Sequence, residues 1–424
     1  MPIARYLRVA ALVDLPRSPQ SGGHVKCWER LAAAAANSGL PLDLTVYFSG
    51  GNTTEILGPH ATIRQLPPMF STENLTFMPY VPEHTDLARY HPRLARELKS
   101  FDLIHTTDGY FAFTRTAERI NRRYGIPLTT SFHTDTPAYA RIFTRQTIEK
   151  TFRWMPRFQR MLIENWSLPD KQALKMERRL EKHVSRCIEA LVTREEDHAL
   201  ADGIIGKAHV HHMRLGVDKT MFNPARRDHA AMEREYEIPA GRIVILFVGR
   251  VDIGKNIHTL VDAMESLIAK GVPLHLITAG VGPALDEVRA RLKGHVSTPG
   301  YIEPDRLARL YASVDGLALV SEVEIRSMAA MEAMASGCPV LASEKSGVVG
   351  LFHHTPAMEA VEGGAENWAK ALGDFAKDAE KRKRMAAAAA AYSEKHLASW
   401  QDVLAEDLLT VWKRAFENHQ RAAA

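Results

Sequence analysis

The sequence predicts an α/β protein of two doubly wound domains that face each other across a cleft. Short, almost uninterrupted apolar runs alternate with helical patterns along the chain, which is typical of parallel sheets covered by helices on both faces. The 424 residues leave room for two domains of ordinary size. With 46% hydrophobic and 25% charged residues, the composition is that of a globular protein.

The predicted strands form two groups. The first half has apolar runs at 7–13, 42–47, 102–105, 128–132 and 190–193, and the second half at 243–248, 274–279, 317–320 and 340–342. The tract 215–224, Leu-Gly-Val-Asp-Lys-Thr-Met-Phe-Asn-Pro, is rich in turn residues and separates the two groups. We expect an N-terminal domain over 1–215 and a C-terminal domain over 216–395.

Composition and charge limit the class and location of the protein. Cys27, Cys187 and Cys338 are widely spaced and match no metal or redox pattern, so we expect neither a metal nor another cofactor. The formal charge of +4 does not suggest nucleic acid. No signal peptide precedes the first apolar run, and no stretch approaches the roughly 20 apolar residues of a membrane span. We expect a cytoplasmic protein, or one held peripherally on the inner face of the cytoplasmic membrane.

The segment 321–340 carries the most informative pattern, because it predicts a loop that turns into a helix. Ser327 is a good N-cap, and Gly337 with Pro339 ends the helix. Free backbone N–H groups and the positive dipole end make the first turn a natural seat for a phosphate. The residues that form this seat are Ser327, Met328 and Ala329.

Two carboxylates flank the predicted phosphate seat. Glu324 stands in the loop before it, and Glu332 lies eight positions later, about a turn and a half into the helix. Because both would repel an anion, we expect them to bind hydroxyl groups of a sugar and of a ribose. The pattern therefore predicts a nucleotide-sugar site, although Glu332 alone would more often be a solvated helix residue.

Strand ends in the second half supply further candidates, because ligands of doubly wound sheets bind beyond the carboxyl ends of strands. Arg250 and Lys255 follow one predicted strand and could hold a diphosphate and stabilise it as a leaving group. Several neighbouring positions would bring backbone close to the same ligand, with Tyr301 near a nucleobase edge. They are Gly249, Gly280, Gly282 and Tyr301.

The first half has two candidates at strand ends. Gly22 and Gly23 follow the first strand and open a helix, so their backbone could approach a phosphate or a sugar; a plain strand-to-helix turn is the alternative. His133 follows another strand and could bond a sugar hydroxyl or take part in proton transfer. The alternative is a core histidine whose hydrogen bonds are satisfied within the protein.

Taken together, these motifs resemble a retaining glycosyltransferase of the GT-B fold, in family 4. The resemblance covers nearly the whole chain and is strongest over 216–347. It rests on the Gly22-Gly23 loop, Gly216-Val-Asp with Phe222-x-Pro224, Gly249-Arg250 with Lys255-Asn256, Gly280-x-Gly-Pro283, and Glu324 with Glu332-Ala-Met-Ala-Ser-Gly-x-Pro-Val340.

The resemblance implies a role for each candidate. Arg250 and Lys255 would bind the donor diphosphate, Glu332 the ribose hydroxyls and Glu324 the transferred sugar. His133 matches a histidine near the donor sugar, and Gly23 would approach the donor phosphates or the acceptor. The C-terminal helix, about 396–424, would cross back to the N-terminal domain. One departure concerns Ile325-Arg326-Ser327, which replaces the usual Gly-Phe-Gly and leaves the donor sugar open.

Around His133 the chain is most similar to family members with lipid acceptors, of the sulfoquinovosyl- or mannosyl-diacylglycerol and phosphatidylinositol types. Over 141–186 there are 12 Lys and Arg residues against 5 Asp and Glu, interleaved with aromatic residues. That pattern suits an anionic membrane surface, or a basic helix whose aromatics face the core.

We therefore expect transfer of a hexose from a nucleoside-diphosphate sugar to a hydroxyl group of a membrane lipid or glycolipid. A transferase with a soluble or polysaccharide acceptor is the alternative. A non-catalytic nucleotide-sugar-binding protein is a second alternative. The nucleotide base remains open among UDP, GDP and ADP.

Overall fold

The computed structural model describes residues 6–19, 21–74, 85–322, 327–352 and 354–423. The chain forms two compact units: unit 1 is Met1–Arg214 with Trp400–Ala424, and unit 2 is Leu215–Ser399. Each contains one largely parallel sheet covered by helices. The predicted α/β class is therefore confirmed.

Unit 1 is built on an eight-stranded sheet in the order β3-β4-β2-β1-β5-β6-β7-β8. Among the strands of the described residues in this sheet, only β3 runs antiparallel to its neighbour. The order reverses between β1 and β5, which lie side by side. The strands are β1 (Leu7–Pro16), β2 (Leu42–Ser49), β3 (Thr54–Gly58), β4 (Ala61–Leu66), β5 (Leu103–Thr106), β6 (Leu128–Ser131), β7 (Glu189–Val192) and β8 (Val210–His212).

Seven α-helices of unit 1 connect these strands. They are α1 (Gly23–Ala36), α2 (Pro92–Glu97), α3 (Ala112–Tyr124), α4 (Thr136–Thr151), α5 (Pro156–Arg160), α6 (Leu168–Val184) and α7 (Glu195–Ile205). Their ends follow from sequence: Asp135 caps α4 by accepting the N–H of Ala138, and Gly125 ends α3 with a φ of 68°.

Unit 2 is built on a six-stranded, wholly parallel sheet in the order β11-β10-β9-β12-β13-β14. The strands are β9 (Ile243–Val248), β10 (Leu274–Ala279), β11 (Val296–Gly300), β12 (Gly316–Leu319), β13 (Val340–Ser343) and β14 (Met358–Val361). The helices are α8 (His229–Glu235), α9 (Ile257–Ala269), α10 (Leu285–Arg291), α11 (Pro304–Ser313), α12 (Met328–Ala335), α13 (Gly347–Phe352), α14 (Ala365–Lys377) and α15 (Ala379–His396).

The last segment of the chain belongs to unit 1. It consists of α16 (Trp400–Asp402), a π-helical turn over Val403–Leu409 and α17 (Thr410–Ala423). Asp407 accepts hydrogen bonds from the backbone and guanidinium of Arg214 at 2.7–3.2 Å. The indole of Trp412 is fully buried, with its ring centre 5.5 Å from that of His105.

All nine predicted strands are present, but five further strands in the described part of the chain were not predicted. Four of these, β3, β8, β11 and β14, lie at or beside a sheet edge or are very short, so they lack a continuous apolar run; β4 alternates buried and half-buried residues. The helix predicted to open at Gly22 and Gly23 begins at Gly23.

Candidate active site

The strand order of unit 2 defines a crevice between β9 and β12. From β9 the chain proceeds outward through β10 and β11, and then returns to place β12 on the other side of β9. The loops that follow β9 and β12 therefore diverge, and such a switch point is where ligands of doubly wound sheets bind. The side chain of Asn256 links the two loops by donating to the carbonyl of Val320 at 3.3 Å.

Two of the predicted basic residues follow β9, and both donate a hydrogen bond to one buried carboxylate. Asp252 is 3% exposed; its Oδ2 accepts from the Nε of Arg250 at 3.2 Å, and its Oδ1 accepts from the backbone N–H of Lys255 at 3.0 Å. Arg250 and Lys255 are half-buried. Sequence analysis missed Asp252, although an Asp three residues before Lys255 is a capping pattern.

The predicted glycines of unit 2 are explained by backbone packing. Gly249 and Gly280 have φ values of +133° and +153°, which only glycine adopts without strain. A Cβ at Gly280 would overlap the carbonyl oxygen of Gly249, and one at Gly282 would overlap that of Val251. These glycines hold the loops after β9 and β10 together.

Tyr301 lies at the end of this row of loops. It follows β11 directly, and the N–H of Gly280 donates to the carbonyl of Gly300 at 2.8 Å. The ends of β9, β10 and β11 are thus bonded in sequence, because the N–H of Gly249 also donates to Ala279 at 3.0 Å. Tyr301 is half-buried and is two strands away from the crevice.

The predicted phosphate seat follows β12. The hydroxyl of Ser327 accepts the N–H of Ala330 at 3.2 Å and caps α12. Ser327 is buried, whereas Met328 and Ala329 are half-buried. The predicted candidate Glu324 and the segment Ile325-Arg326 lie outside the described residues.

Glu332 lies on α12, four residues after its start, and is half-buried. Burial, and after it the Glu332 carboxylate, raises the pKa of the Tyr311 hydroxyl well above its usual range. Glu332 is thus near the phenol of Tyr311 on α11, and this phenol stays neutral. A carboxylate in such a setting retains acceptor capacity for hydroxyl groups.

In unit 1 the predicted residue His133 belongs to a cluster of histidines and tryptophans. Its ring stacks on that of His24 with centres 4.4 Å apart, so it lies against the start of α1, next to Gly23, which is exposed. Sequence analysis missed the rest of this cluster. We call the group the histidine cluster; its members are His24, Trp28, His105, Ser131, His133 and Trp412.

Hydrogen bonds in the histidine cluster determine where the proton of His133 lies. The indole N–H of Trp28 can only donate, and it points at Nε2 of His133 at 3.3 Å. Nε2 is therefore unprotonated, so the Ser131 hydroxyl, 2.7 Å away, donates to it as well. Neutral His133 consequently carries its proton on Nδ1.

The same chain of bonds continues into the core. Because the Ser131 hydroxyl is used as a donor, the Nε2–H of His105 donates to its oxygen at 2.9 Å. Nδ1 of His105 then accepts from the Thr129 hydroxyl at 2.8 Å. Burial, followed by repulsion from His183, lowers the pKa of His105 to about 3, so His105 remains neutral and the direction of the bonds is fixed.

The basic segment 141–186 forms a helical surface of unit 1. None of the Phe and Trp residues interleaved with its cations is fully buried, and Trp154, Met155 and Trp166 are 81%, 54% and 50% exposed. The guanidinium of Arg153 lies over the Trp154 ring, 4.5 Å from its centre. No helix among the described residues is both long and apolar enough to cross a membrane.

The region that holds the crevice matches a known protein family. Residues 228–392 match the model of the family described as glycosyl transferases group 1. A sulfoquinovosyl transferase of Arabidopsis thaliana is 24% identical over 261 residues, 61% of this chain and 46% of that protein. A D-inositol 3-phosphate glycosyltransferase of Nocardia farcinica is 31% identical over 223 residues, 49% and 48% of the two chains.

A third relative is a GDP-mannose-dependent phosphatidylinositol dimannoside mannosyltransferase of Mycobacterium tuberculosis, 32% identical over 135 residues, 31% and 35% of the two chains. The chain thus spans about half the length, or less, of these curated relatives.

Solved structures match across both units. A sucrose-phosphate synthase of Thermosynechococcus elongatus superposes with a TM-score of 0.71 at 18% identity and covers 99% of this chain and 100% of its own. HepE of Anabaena, in complex with UDP and glucose, gives 0.65 at 15% identity and covers 98% and 99%. With the two doubly wound sheets, these likenesses show that the chain has the GT-B fold.

Proposed function

We propose that this protein is a retaining glycosyltransferase of family 4 that transfers a hexose from a nucleoside-diphosphate sugar to a hydroxyl group of a membrane lipid or glycolipid. The observation that carries the proposal is the β9/β12 crevice. Arg250 and Lys255 stand on one side of it and the capped N-terminus of α12 on the other. Both lie in the segment that matches glycosyl transferases group 1.

The crevice suits a diphosphate leaving group. Arg250, Lys255 and the free N–H groups of α12 would stabilise the charge that develops as the bond between the sugar and the diphosphate breaks. The acceptor oxygen forms the new bond to the same carbon from the leaving-group side, and the departing phosphate takes its proton. Glu332 would bind the ribose hydroxyls and Glu324 the transferred sugar, while Gly280, Gly282 and Tyr301 complete the donor side.

His133 serves as a hydrogen-bond donor in this proposal. With its proton on Nδ1, and Nε2 accepting from Trp28 and Ser131, it can donate to a sugar hydroxyl but cannot take a proton at Nε2. Of the two roles that the sequence left open, binding is therefore favoured over proton transfer. Gly23 precedes His24, whose ring stacks on that of His133. The backbone of Gly23 would therefore approach the donor phosphates or the acceptor.

Two observations support a lipid acceptor. The segment 141–186 exposes Trp154, Met155 and Trp166 among cations, which suits an anionic bilayer surface. The Mycobacterium tuberculosis relative acts, by its name, on a phosphatidylinositol dimannoside. The second candidate is a soluble acceptor, favoured by the relatives named for D-inositol 3-phosphate.

The test of the activity is transfer of label from UDP-, GDP- and ADP-hexoses to a lipid extract or to soluble sugar phosphates. Labelled glycolipid with the anomeric configuration of the donor is expected. Label found only in soluble products favours the second candidate, and no transfer from any donor to any acceptor contradicts the proposed activity.

The membrane surface is tested by co-sedimentation with anionic vesicles at low and high salt. Charge reversal at Arg153, Arg157 and Arg160 should release the protein, since each basic residue near the surface contributes about 1 kcal/mol. The control reverses three exposed lysines of unit 2, Lys270, Lys293 and Lys395. Equal release by both variants, or no binding by the unaltered protein, would contradict the surface assignment.

A further inference from the structure

A second basic site lies on unit 1, near the amino-terminal ends of the strands, whereas the histidine cluster lies at their carboxyl ends. α3 runs back from the carboxyl end of β5 and ends at Tyr124, just before β6 begins at Leu128. Here α3 and the turn after α2 border a cavity of about 490 Å³ that is open to solvent on one side. Its lining residues are Tyr90, Ala95, Arg96, Lys99, Arg119, Ile120, Arg122, Arg123 and Tyr124.

The charge of this cavity is one-sided. Five of its nine lining residues are Lys or Arg and none is acidic. Within the described ranges, none of the five cations forms an ion pair with a carboxylate. Arg122 and Arg123 lie in the last turn of α3, where cations complement the helix dipole, but the dipole does not explain Arg96, Lys99 and Arg119.

Two tyrosines of the cavity contact three of these cations. The Lys99 ammonium lies over the Tyr124 ring at 4.8 Å from its centre, with the Arg123 guanidinium at 5.6 Å. The Arg119 guanidinium lies over the Tyr90 ring at 5.1 Å. Cation–π contacts of this kind limit the freedom of long basic side chains, so Lys99, Arg119 and Arg123 stay near the cavity without a carboxylate to hold them.

We infer that this cavity binds a soluble small molecule that carries two or more phosphate groups. Guanidinium groups match phosphate oxygens in pairs, and a ligand with several negative charges would offset the mutual repulsion of five cations. A cavity of this volume falls in the usual range for small-molecule sites. This inference does not rest on the proposed transferase activity, because the cavity lies away from the histidine cluster of unit 1 and from the β9/β12 crevice of unit 2.

Inorganic pyrophosphate is the probe, titrated calorimetrically into the full chain. The variant Arg96→Ala with Lys99→Ala should bind it at least tenfold more weakly at one site, since each charge-assisted bond lost is worth about tenfold or more. Both side chains are exposed, so folding should be retained, and the thermal midpoint checks this. The matched control, Arg93→Ala with Lys175→Ala, removes two exposed cations outside the cavity and should leave affinity within about twofold.

Pyrophosphate would also enter the β9/β12 crevice if the proposed function holds, so a third variant, Arg250→Ala with Lys255→Ala, separates the two sites. Both assignments are supported if the 96/99 variant loses pyrophosphate binding at one site only and the 250/255 variant loses it at the other site only. If the 250/255 variant binds as the unaltered protein does, the donor site is wrong and the cavity stands.

Three results would overturn the inference about the cavity. One is a 96/99 variant whose titration is unchanged, and another is an equal loss in the control. The third is binding to vesicles with phosphorylated headgroups but not to pyrophosphate, which would make the ligand a lipid.

Discussion

The β9/β12 crevice of unit 2 and the histidine cluster of unit 1 hold their residues by different means. The crevice is formed mainly by backbone: glycines with positive φ, a helix N-terminus and loops bonded strand to strand. The histidine cluster is formed by side chains from α1, β5, β6 with the loop that follows it, and α17, linked through hydrogen bonds and ring contacts. The first kind of site does not tolerate side chains at its glycines. The second is sensitive to protonation and to the loss of a single hydrogen-bond donor.

The largest expected effect concerns the backbone of the crevice. Gly280→Ala should lower the free energy of unfolding of unit 2 by roughly 3–5 kcal/mol, because a Cβ would overlap the Gly249 carbonyl and φ is +153°. Urea unfolding measures the change. The matched control is Gly294→Ala, where φ is +77° and no atom lies within 4 Å; it should cost about 1–2 kcal/mol. Equal losses would show that the close loop packing is unimportant.

The second effect is the pH dependence that His105 contributes to the stability of unit 1. The pKa of His105 falls from its ordinary 6.5 to about 3, so the unfolded chain binds this proton more readily than the folded unit. The stabilisation is therefore complete above pH 6.5 and is lost as pH falls from 6.5 toward 3. At pH 5 the contribution of His105 to the free energy of unfolding of unit 1 should be about 2 kcal/mol lower than at pH 7.5.

Comparison with variants isolates this contribution from other titrating groups. His105→Gln should reduce the pH-dependent loss by that amount, whereas the control His396→Gln, at an exposed histidine, should not. If the loss between pH 7.5 and 5 is the same in all three proteins, His105 is not held neutral by burial.

The smallest effect concerns the proton of His133. Trp28→Phe removes the indole donor, worth about 1 kcal/mol, which keeps the proton of His133 off Nε2, so the Nε2–H tautomer should appear beside the Nδ1–H tautomer. Nitrogen-15 chemical shifts of the histidine side chains report the tautomer directly. Trp412→Phe is the control, since Trp412 is a buried tryptophan of the same cluster that contacts the His105 ring. A single unchanged tautomer in Trp28→Phe would contradict the bond directions derived above.

The same contrast explains what the sequence could predict. Arg250, Lys255, Ser327 and the glycines are close in sequence to strand ends and helix starts, so local spacing was enough to propose them. Of the histidine cluster, only His133 was recognised, since it follows a predicted strand directly. Trp28, His105 and Trp412 meet it only after the sheet and the returning C-terminal segment have formed, and no local pattern predicts that meeting.

The cavity at the end of α3 was missed for a related reason. Its cations come from two stretches, 96–99 and 119–123, each an ordinary basic helix end on its own. Only the packing of α2 against α3 places them around one space. The basic segment 141–186, by contrast, is continuous in sequence and was singled out from its composition.

The central claim is that the β9/β12 crevice binds the diphosphate of a nucleotide sugar. Titration of UDP-, GDP- and ADP-hexoses into the unaltered protein, Arg250→Ala, Lys255→Ala and the exposed-lysine control Lys270→Ala tests it most directly. One donor should bind saturably, about 10- to 100-fold more weakly in each of the first two variants and unchanged in the control. Unchanged donor affinity in both Arg250→Ala and Lys255→Ala would contradict the claim.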